Sequence, residues 1–82
     1  MVPTVVLTEN RIWIEIEDHE DIEVTGIADI TVALLEVRQD HAVNGNWIVA
    51  PGVDVPFNDV VKAIDAARAA QFPNVMVAGG AA

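Results

Sequence analysis

The sequence predicts an α+β fold, a two-layer sandwich in which two helices pack on one face of a mixed sheet of four to five strands. Three observations support this class. The first third of the chain alternates apolar and polar residues as a β-strand does. Two later segments repeat apolar residues every three to four positions, as helices do, and an apolar run follows each of them. The predicted element order is therefore β-β-(β)-α-β-α-β.

Strands are predicted at the amino terminus. Thr4 to Leu7 is a short apolar run rich in β-branched residues, and Glu9-Asn10 suits a hairpin turn because asparagine tolerates the left-handed conformation. In the next strand Ile12, Ile14 and Ile16 face one side. The residues that alternate with them face the other side: Arg11, Trp13, Glu15 and Glu17. A charged turn at 18–21 then leads to a short strand at 22–24.

The first helix is indicated by one apolar stripe, formed by Ile27, Ile30, Leu34 and Val37. Thr25 or Asp29 is expected to cap its start, because either side chain can accept a hydrogen bond from a free first-turn amide. Residues 47–50, after an Asn-Gly-Asn turn, predict a short buried strand.

The second helix has the strongest pattern of the chain. Pro56 suits its first turn, Pro73 is expected to stop it, and residues 74–80 form the last strand. The apolar face is expected to consist of Phe57, Val60, Val61, Ile64 and Ala67. Because helices separate the last strands, those strands are expected to be parallel, whereas the first hairpin is antiparallel. The isoleucine side of the second strand then meets the helices.

Composition excludes several function classes. The 82 residues carry 13 acids and 4 bases, for a net charge of -9. Such a charge repels nucleic acids and anionic bilayers, so neither is expected as a partner. No cysteine is present, which excludes disulfides and thiolate zinc sites. One small domain spanning residues 1–82 is expected.

No catalytic, cofactor-binding or metal-binding residues are predicted. The acidic segment 15–23 contains His19, but its spacing is not that of a calcium loop and no glycine lets the chain wrap an ion. A solvated charged turn explains it better. His41 adjoins a helix end, where a cation is favoured by the helix dipole. The chain has no serine, so a serine nucleophile is excluded. We expect no enzyme activity.

The two tryptophans lead to different expectations. Trp47, in apolar surroundings, is expected in the core. Trp13 lies on the predicted open face among charged neighbours. Its ring either packs over the stem of Arg11 and a neighbouring strand, or anchors an interface. The candidate interface residues are therefore Arg11, Trp13, Glu15 and Glu17.

The segment NWIVAPGVDVPFNDVVKAIDAARAAQFPNVMVAGG resembles the C-terminal half of the periplasmic domain of the ExbD/TolR family. That family pattern is a strand, a polar turn, valine and an aromatic residue opening a helix with paired apolar positions, a short turn and an apolar strand. The matching positions are Trp47 to Ala50, Pro51 to Asp54, Val55 with Phe57, Val60-Val61 with Ile64-Asp65, Phe72 with Asn74, and Val75 to Ala78. An acidic residue common in the turn would fall at Gly52, and the usual glycine before the second aromatic residue is Gln71 here. The earlier half matches in element order only.

The resemblance implies a non-catalytic periplasmic domain of an inner-membrane complex that couples proton motive force to transport or envelope integrity. It implies a homodimer, a channel subunit of the ExbB/TolQ type, and a TonB- or TolA-like protein or the cell wall as partners. It also implies a single-pass membrane anchor upstream of this segment. Only that anchor, and not this domain, would contact the membrane. The alternative function is a cytoplasmic ACT-like regulatory domain that binds small molecules.

Overall fold

The computed structural model describes residues 1–78, and within them five strands and two α-helices are formed. In chain order they are β1 (Thr4–Leu7), β2 (Ile12–Glu15), β3 (Ile22–Val24), α1 (Ile30–Asp40), β4 (Asn46–Pro51), α2 (Phe57–Ala69) and β5 (Asn74–Val77). A 3₁₀ turn at Ile27–Asp29 precedes α1. The predicted strand at 74–80 is confirmed as far as Val77, and its final two glycines lie outside the described residues.

The strands form one mixed sheet in the order β3-β2-β1-β4-β5. β1 pairs antiparallel with β2, and β2 with β3, whereas β1, β4 and β5 run parallel to one another. This confirms the predicted α+β class and the mixed sheet. The order places β1 at the centre, so α1 must connect the edge strand β3 to β4 across two intervening strands.

The core lies between the sheet and the helices. The alternation predicted for β2 is confirmed, since Ile14 and Ile16 are buried and Ile12 is partly buried. Trp47 and Val49 of β4 lie on the same side, and Trp47 is only 1% exposed, as expected. The buried apolar residues are Val5, Leu7, Ile14, Ile16, Val24, Ile30, Ala33, Leu34, Val37, Trp47, Val49, Val60, Ala63, Ala67, Ala70 and Phe72. They join into one cluster, so a single core holds both layers together.

Three of the four residues predicted for the apolar stripe of the first helix, Ile30, Leu34 and Val37, are buried in α1, whereas Ile27 lies partly buried in the preceding 3₁₀ turn. The expected caps are wrong. Neither Thr25 nor Asp29 makes a capping side-chain hydrogen bond. Asp29 has helical dihedrals, φ -90 and ψ -4, rather than the extended ones of a capping residue. The 3₁₀ turn explains this difference, because it continues helical backbone into Asp29, whose N–H donates to the carbonyl of Gly26 at 2.9 Å.

The predicted apolar face of α2 is partly wrong. Val60 and Ala67 are buried together with Ala63, but Phe57 is 78% exposed and Val61 is 39% exposed. The buried stripe is thus rotated toward small residues, and alanines there allow α2 to lie close to the rest of the core. Phe57 opens the helix one turn before the first buried residue, where little of the described chain covers it.

The end of α2 is formed by local backbone geometry before Pro73 is reached. The helix ends at Ala69, and Gln71 adopts a left-handed φ of 66. The N–H of Phe72 donates to the carbonyl of Ala67 at 2.9 Å, and that of Gln71 donates to Arg68 at 3.0 Å. These two bonds define a Schellman motif, in which glycine is the preferred residue at the position of Gln71.

The hairpin between β1 and β2 forms without a left-handed asparagine. Among non-glycine residues of the described chain, positive φ occurs only at Asp18 and Gln71, so that expectation for Asn10 is wrong. Thr8 closes the turn instead. Its N–H and its hydroxyl both donate to the carbonyl of Arg11, at 2.8 and 2.9 Å, and its hydroxyl oxygen accepts the N–H of Arg11 at 2.9 Å. The threonine side chain therefore supplies the turn geometry that we expected from Asn10.

Polar side chains of α1 tie it to α2. Thr31 donates its hydroxyl to the carbonyl of Ala66 at 2.8 Å. Arg38 donates to the carbonyl of Ala70 at 3.3 Å and to that of Gln71, and its guanidinium carbon lies 4.9 Å from the centre of the Phe72 ring. A cation at these carbonyls is also favoured by the dipole of α2.

Candidate interaction surface

The side of the sheet that faces away from the helices is called the open face below. Trp13 and Glu15 lie on it because they alternate with the buried Ile14 along β2. Arg11 and Glu17 flank the strand and are exposed. The predicted placement of these residues opposite the core is therefore correct, whereas their role in an interface stays a prediction.

Three of the four candidate residues contact one another. The guanidinium carbon of Arg11 lies 4.4 Å from the centre of the Trp13 ring, within the range of a cation–π interaction. The indole N–H of Trp13 donates to a carboxylate oxygen of Glu15 at 3.0 Å. Glu17 makes no side-chain hydrogen bond or ion pair with any residue from 1 to 78. Trp13 is thus half-buried and held in place by its charged neighbours.

Glu23 joins this group, and the sequence reasoning missed it as an individual residue. Arg11 forms a bidentate ion pair with Glu23, whose backbone lies opposite Trp13 in the β2–β3 pairing. The hydrogen bond and the negative charge of Glu23 raise the pKa of Arg11 above its usual value. The available signal was the alternation of β3, which places Glu23 between Ile22 and Val24.

The strand register gives the open face two chemically different halves. One row across the sheet runs from Glu15 through Thr4 and Ile48 to Met76. The β2–β3 half carries Glu15 and Glu23 together with the flanking acids, whereas the β4–β5 half has apolar side chains and no charged residue. A groove crosses the boundary between these halves, and its lining comprises Met1, Val2, Thr4, Glu15, Ile16, Glu17, Asp21 and Ile48.

A second exposed apolar surface lies at the start of α2. Val53 is 74% exposed and Phe57 is 78% exposed, with Val61 one turn further along the helix. Sequence reasoning missed this surface because it assigned Phe57 and Val61 to the core. An exposed aromatic side chain is a common feature of interfaces, but single exposed apolar residues are also normal on protein surfaces.

The two edges of the sheet differ in length and charge. The edge strand β3 has three residues and includes Glu23, whereas the other edge strand, β5, has four uncharged residues. Met76 and Val77 of β5 are both largely exposed. Uncharged edge strands with free backbone groups can pair with another chain, so β5 is the edge better suited to strand addition.

The two histidines, His19 and His41, are in contact although they are 22 residues apart in the sequence. Their ring centres are 4.6 Å apart, and they join the β2–β3 turn to the end of α1.

No group of three or more histidine, aspartate or glutamate side chains within residues 1–78 is arranged to hold a metal ion. The absence of tight metal binding stays a prediction. Calorimetric titration with Ca²⁺, Mg²⁺ and Zn²⁺ is expected to give no affinity better than high micromolar, because an exposed turn cannot hold ligands rigidly. Sub-micromolar binding that requires His19 would contradict it.

A cleft lies at the carboxyl end of β1, beside the start of α2. It has a volume of ≈ 220 Å³, and Thr8, Thr25 and Asp59 are among its polar lining residues. Pockets for drug-sized ligands usually measure about 300–1,000 Å³. This cleft, which Leu7, Ile12 and Val55 also line, is therefore smaller than a typical ligand pocket.

No helix within residues 1–78 is long and apolar enough to cross a bilayer. No protein-family model, curated protein or solved structure matches this chain.

Proposed function

We propose that this domain works by binding other proteins, as a non-catalytic periplasmic domain of the ExbD/TolR type in a complex that couples proton motive force to transport or envelope integrity. The observation that carries the proposal is the open face. Both helices cover the same side of the sheet, so the other side keeps Trp13, Ile48 and Met76 at least partly accessible. A small domain that leaves one sheet face uncovered has a natural surface for partner proteins.

A detail of the backbone also supports this proposal. The resemblance aligns the family's usual glycine with Gln71, and Gln71 is one of two non-glycine residues in the described chain with a left-handed conformation. A preference for glycine at that position has a physical reason, since glycine adopts this conformation without steric cost. The strand, turn, helix, turn and strand of the resembling segment correspond to β4, α2 and β5 with their connections.

The proposed partners follow from the resemblance. They are a second copy of the domain, a channel subunit of the ExbB/TolQ type, and a TonB- or TolA-like protein or the cell wall. The proposed location is the periplasmic side of the inner membrane, with an anchor encoded before this segment. The ACT-like alternative requires a small-molecule site, and we propose it as the second candidate function.

The coding sequence upstream of Met1 tests the proposal. We expect an apolar stretch of about 20 residues that contains one acidic residue. We also expect the full-length product to co-purify with a polytopic membrane protein. A gene that begins at Met1 and lies among cytoplasmic metabolic genes would contradict the proposal and favour the regulatory alternative.

A further inference from the structure

We propose that the open face binds an extended segment of a partner protein that carries, along one of its faces, lysine or arginine side chains followed by apolar ones. The proposal rests on the proposed partner-binding function and specifies the chemistry of the partner. Its starting point is the division of the open face into an acidic half on β2–β3 and an uncharged apolar half on β4–β5.

The acidic half has an excess of negative charge even after its internal ion pair is counted. The carboxylates on or beside it are those of Glu15, Glu17, Asp21 and Glu23, and Arg11 is the one base, which gives 4 - 1 = 3 excess negative charges. Arg11 is already paired with Glu23. Glu15, Glu17 and Asp21 line the groove between the halves, so basic side chains placed there would meet carboxylates without breaking that pair.

The apolar half has no charge that would need a partner. No aspartate, glutamate, lysine or arginine occurs in residues 41–53 or 69–78, which include all of β4 and β5. On the open face this half presents Ile48, partly buried, and Met76, 68% exposed, with Val2 lining the groove beside them and the uncharged amides of Asn46 and Asn74 next in the two strands. Flexible methionine side chains adapt to apolar partners of different shape.

The spacing of the two halves fits an extended chain. Glu15, Thr4, Ile48 and Met76 occupy neighbouring strands in one row. Because neighbouring strands are about 4.8 Å apart, Ile48 lies about 10 Å and Met76 about 14 Å from Glu15 along that row. Side chains on one face of an extended segment recur about every 6.8 Å, so a basic residue followed by apolar residues two and four positions later spans about the same distance.

Charge decides between this occupant and others. A second copy of the domain brings a further charge of -9, and nucleic acids or anionic bilayers bring more negative charge to the same acids. In a basic, partly apolar protein segment, the basic side chains are attracted to the acidic half of the open face and the apolar side chains bury the apolar half. Attraction of this kind weakens as salt screens it.

The test uses three eight-residue peptides with blocked ends, titrated against the purified chain by calorimetry at low and high salt. The probe alternates threonine with two lysines followed by two leucines. One control peptide has glutamate in place of lysine, and the other has threonine in place of leucine. We expect the lysine–leucine probe to bind at least about fivefold more tightly than either control, and its affinity to fall with salt.

Three pairs of substitutions locate the site. Glu15→Gln with Asp21→Asn removes two charges from the open face. The side chain at position 15 keeps an oxygen that can accept the indole N–H of Trp13. Glu36→Gln with Asp65→Asn removes two charges from exposed positions on the helices. We expect the first pair to weaken probe binding about fivefold or more and the second less than about twofold. Ile48→Thr with Met76→Thr tests the apolar half and is expected to weaken binding as well, with circular dichroism confirming that every variant is folded.

Several results would overturn the proposal. These are equal binding of the glutamate–leucine peptide, equal losses from the two charge-removing pairs, or no binding of any peptide at millimolar concentration. If Ile48→Thr with Met76→Thr changes sedimentation of the domain but not probe binding, the face is occupied by a second copy instead. Co-purification of the full-length product with a membrane partner would still support the proposed function in each of these cases, so the two failures are distinguishable.

Discussion

The two tryptophans of this domain lie on opposite faces of the same sheet and have opposite surroundings. Trp47, on the helix-covered face, is buried among apolar side chains, and its indole N–H has no acceptor within residues 1–78. Trp13, on the open face, is half-buried, donates its N–H to Glu15 and lies beneath the guanidinium of Arg11. On the covered face tryptophan therefore contributes buried apolar area, whereas on the open face it holds charged side chains in place.

The charged groups of the molecule follow the same division. No charged side chain is buried among the described residues, so the core between sheet and helices is apolar apart from the indole N–H of Trp47. The open face instead combines carboxylates, a guanidinium and partly accessible apolar side chains. Stability is thus expected to depend on the covered face, and recognition on the open face.

The largest expected effect is on the stability of the covered face. Trp47→Ala should lower the free energy of unfolding by about 3–5 kcal/mol, since it removes a large buried side chain and leaves a cavity. That is a substantial part of the about 5–15 kcal/mol typical of whole domains. Urea denaturation followed by circular dichroism measures it. The matched control is Trp13→Ala, and equal losses in the two variants would show that the two faces do not differ as described.

Arg38 tests whether the helix layer behaves as one unit. Arg38→Ala removes hydrogen bonds from a charged donor to the carbonyls of Ala70 and Gln71 at the end of α2. We expect a loss of about 1–2 kcal/mol in the free energy of unfolding. Arg68→Ala is the control, because Arg68 is exposed in the last turn of the same helix and makes no side-chain hydrogen bond with the described residues. A loss no greater than that of the control would mean that the hydrogen bonds from Arg38 to the end of α2 do not contribute to stability.

Trp13 tests the open face itself. Trp13→Ala should lower the free energy of unfolding by less than about 1 kcal/mol, because the buried isoleucines lie on the other side of β2. It should weaken binding of the partner segment to the open face, and a loss of self-association instead would assign that face to the homodimer. We expect the wild-type domain to form a weak homodimer that salt promotes, because two copies at -9 repel each other at low salt. Sedimentation across salt concentrations, with denaturant melts, measures both. A variant that unfolds readily yet associates normally would assign Trp13 to the core.

The smallest expected effect concerns the backbone at the end of α2. Gln71→Gly should raise the free energy of unfolding by about 0.5–1 kcal/mol, because glycine adopts the left-handed conformation without steric strain. Gln71→Val should lower it, since β-branched residues tolerate that conformation poorly. The two variants should therefore shift the urea midpoint in opposite directions. A lower midpoint for the glycine variant would show that the side chain of Gln71 contributes more than its strained backbone costs.

Sequence patterns were sufficient for the elements that depend on local geometry. The period-two alternation of β2 predicted which side Trp13 faces, and the apolar stripe of α1 predicted its buried residues. The acidic composition also predicts, by charge alone, that polyanionic partners are repelled, and this stays a prediction. Each of these conclusions needs only the periodicity of apolar residues in one strand or helix, or the net charge of the chain.

The tertiary structure alone decided how distant segments meet. The pairing of Arg11 with Glu23 requires the register of β2 and β3, and the contact between His19 and His41 requires the docking of a turn on the end of α1. The exposure of Phe57 depends on where α2 lies over the sheet. Periodicity identifies an apolar face of a helix, but the surface opposite that face determines which of its residues are covered, and that surface comes from elsewhere in the chain.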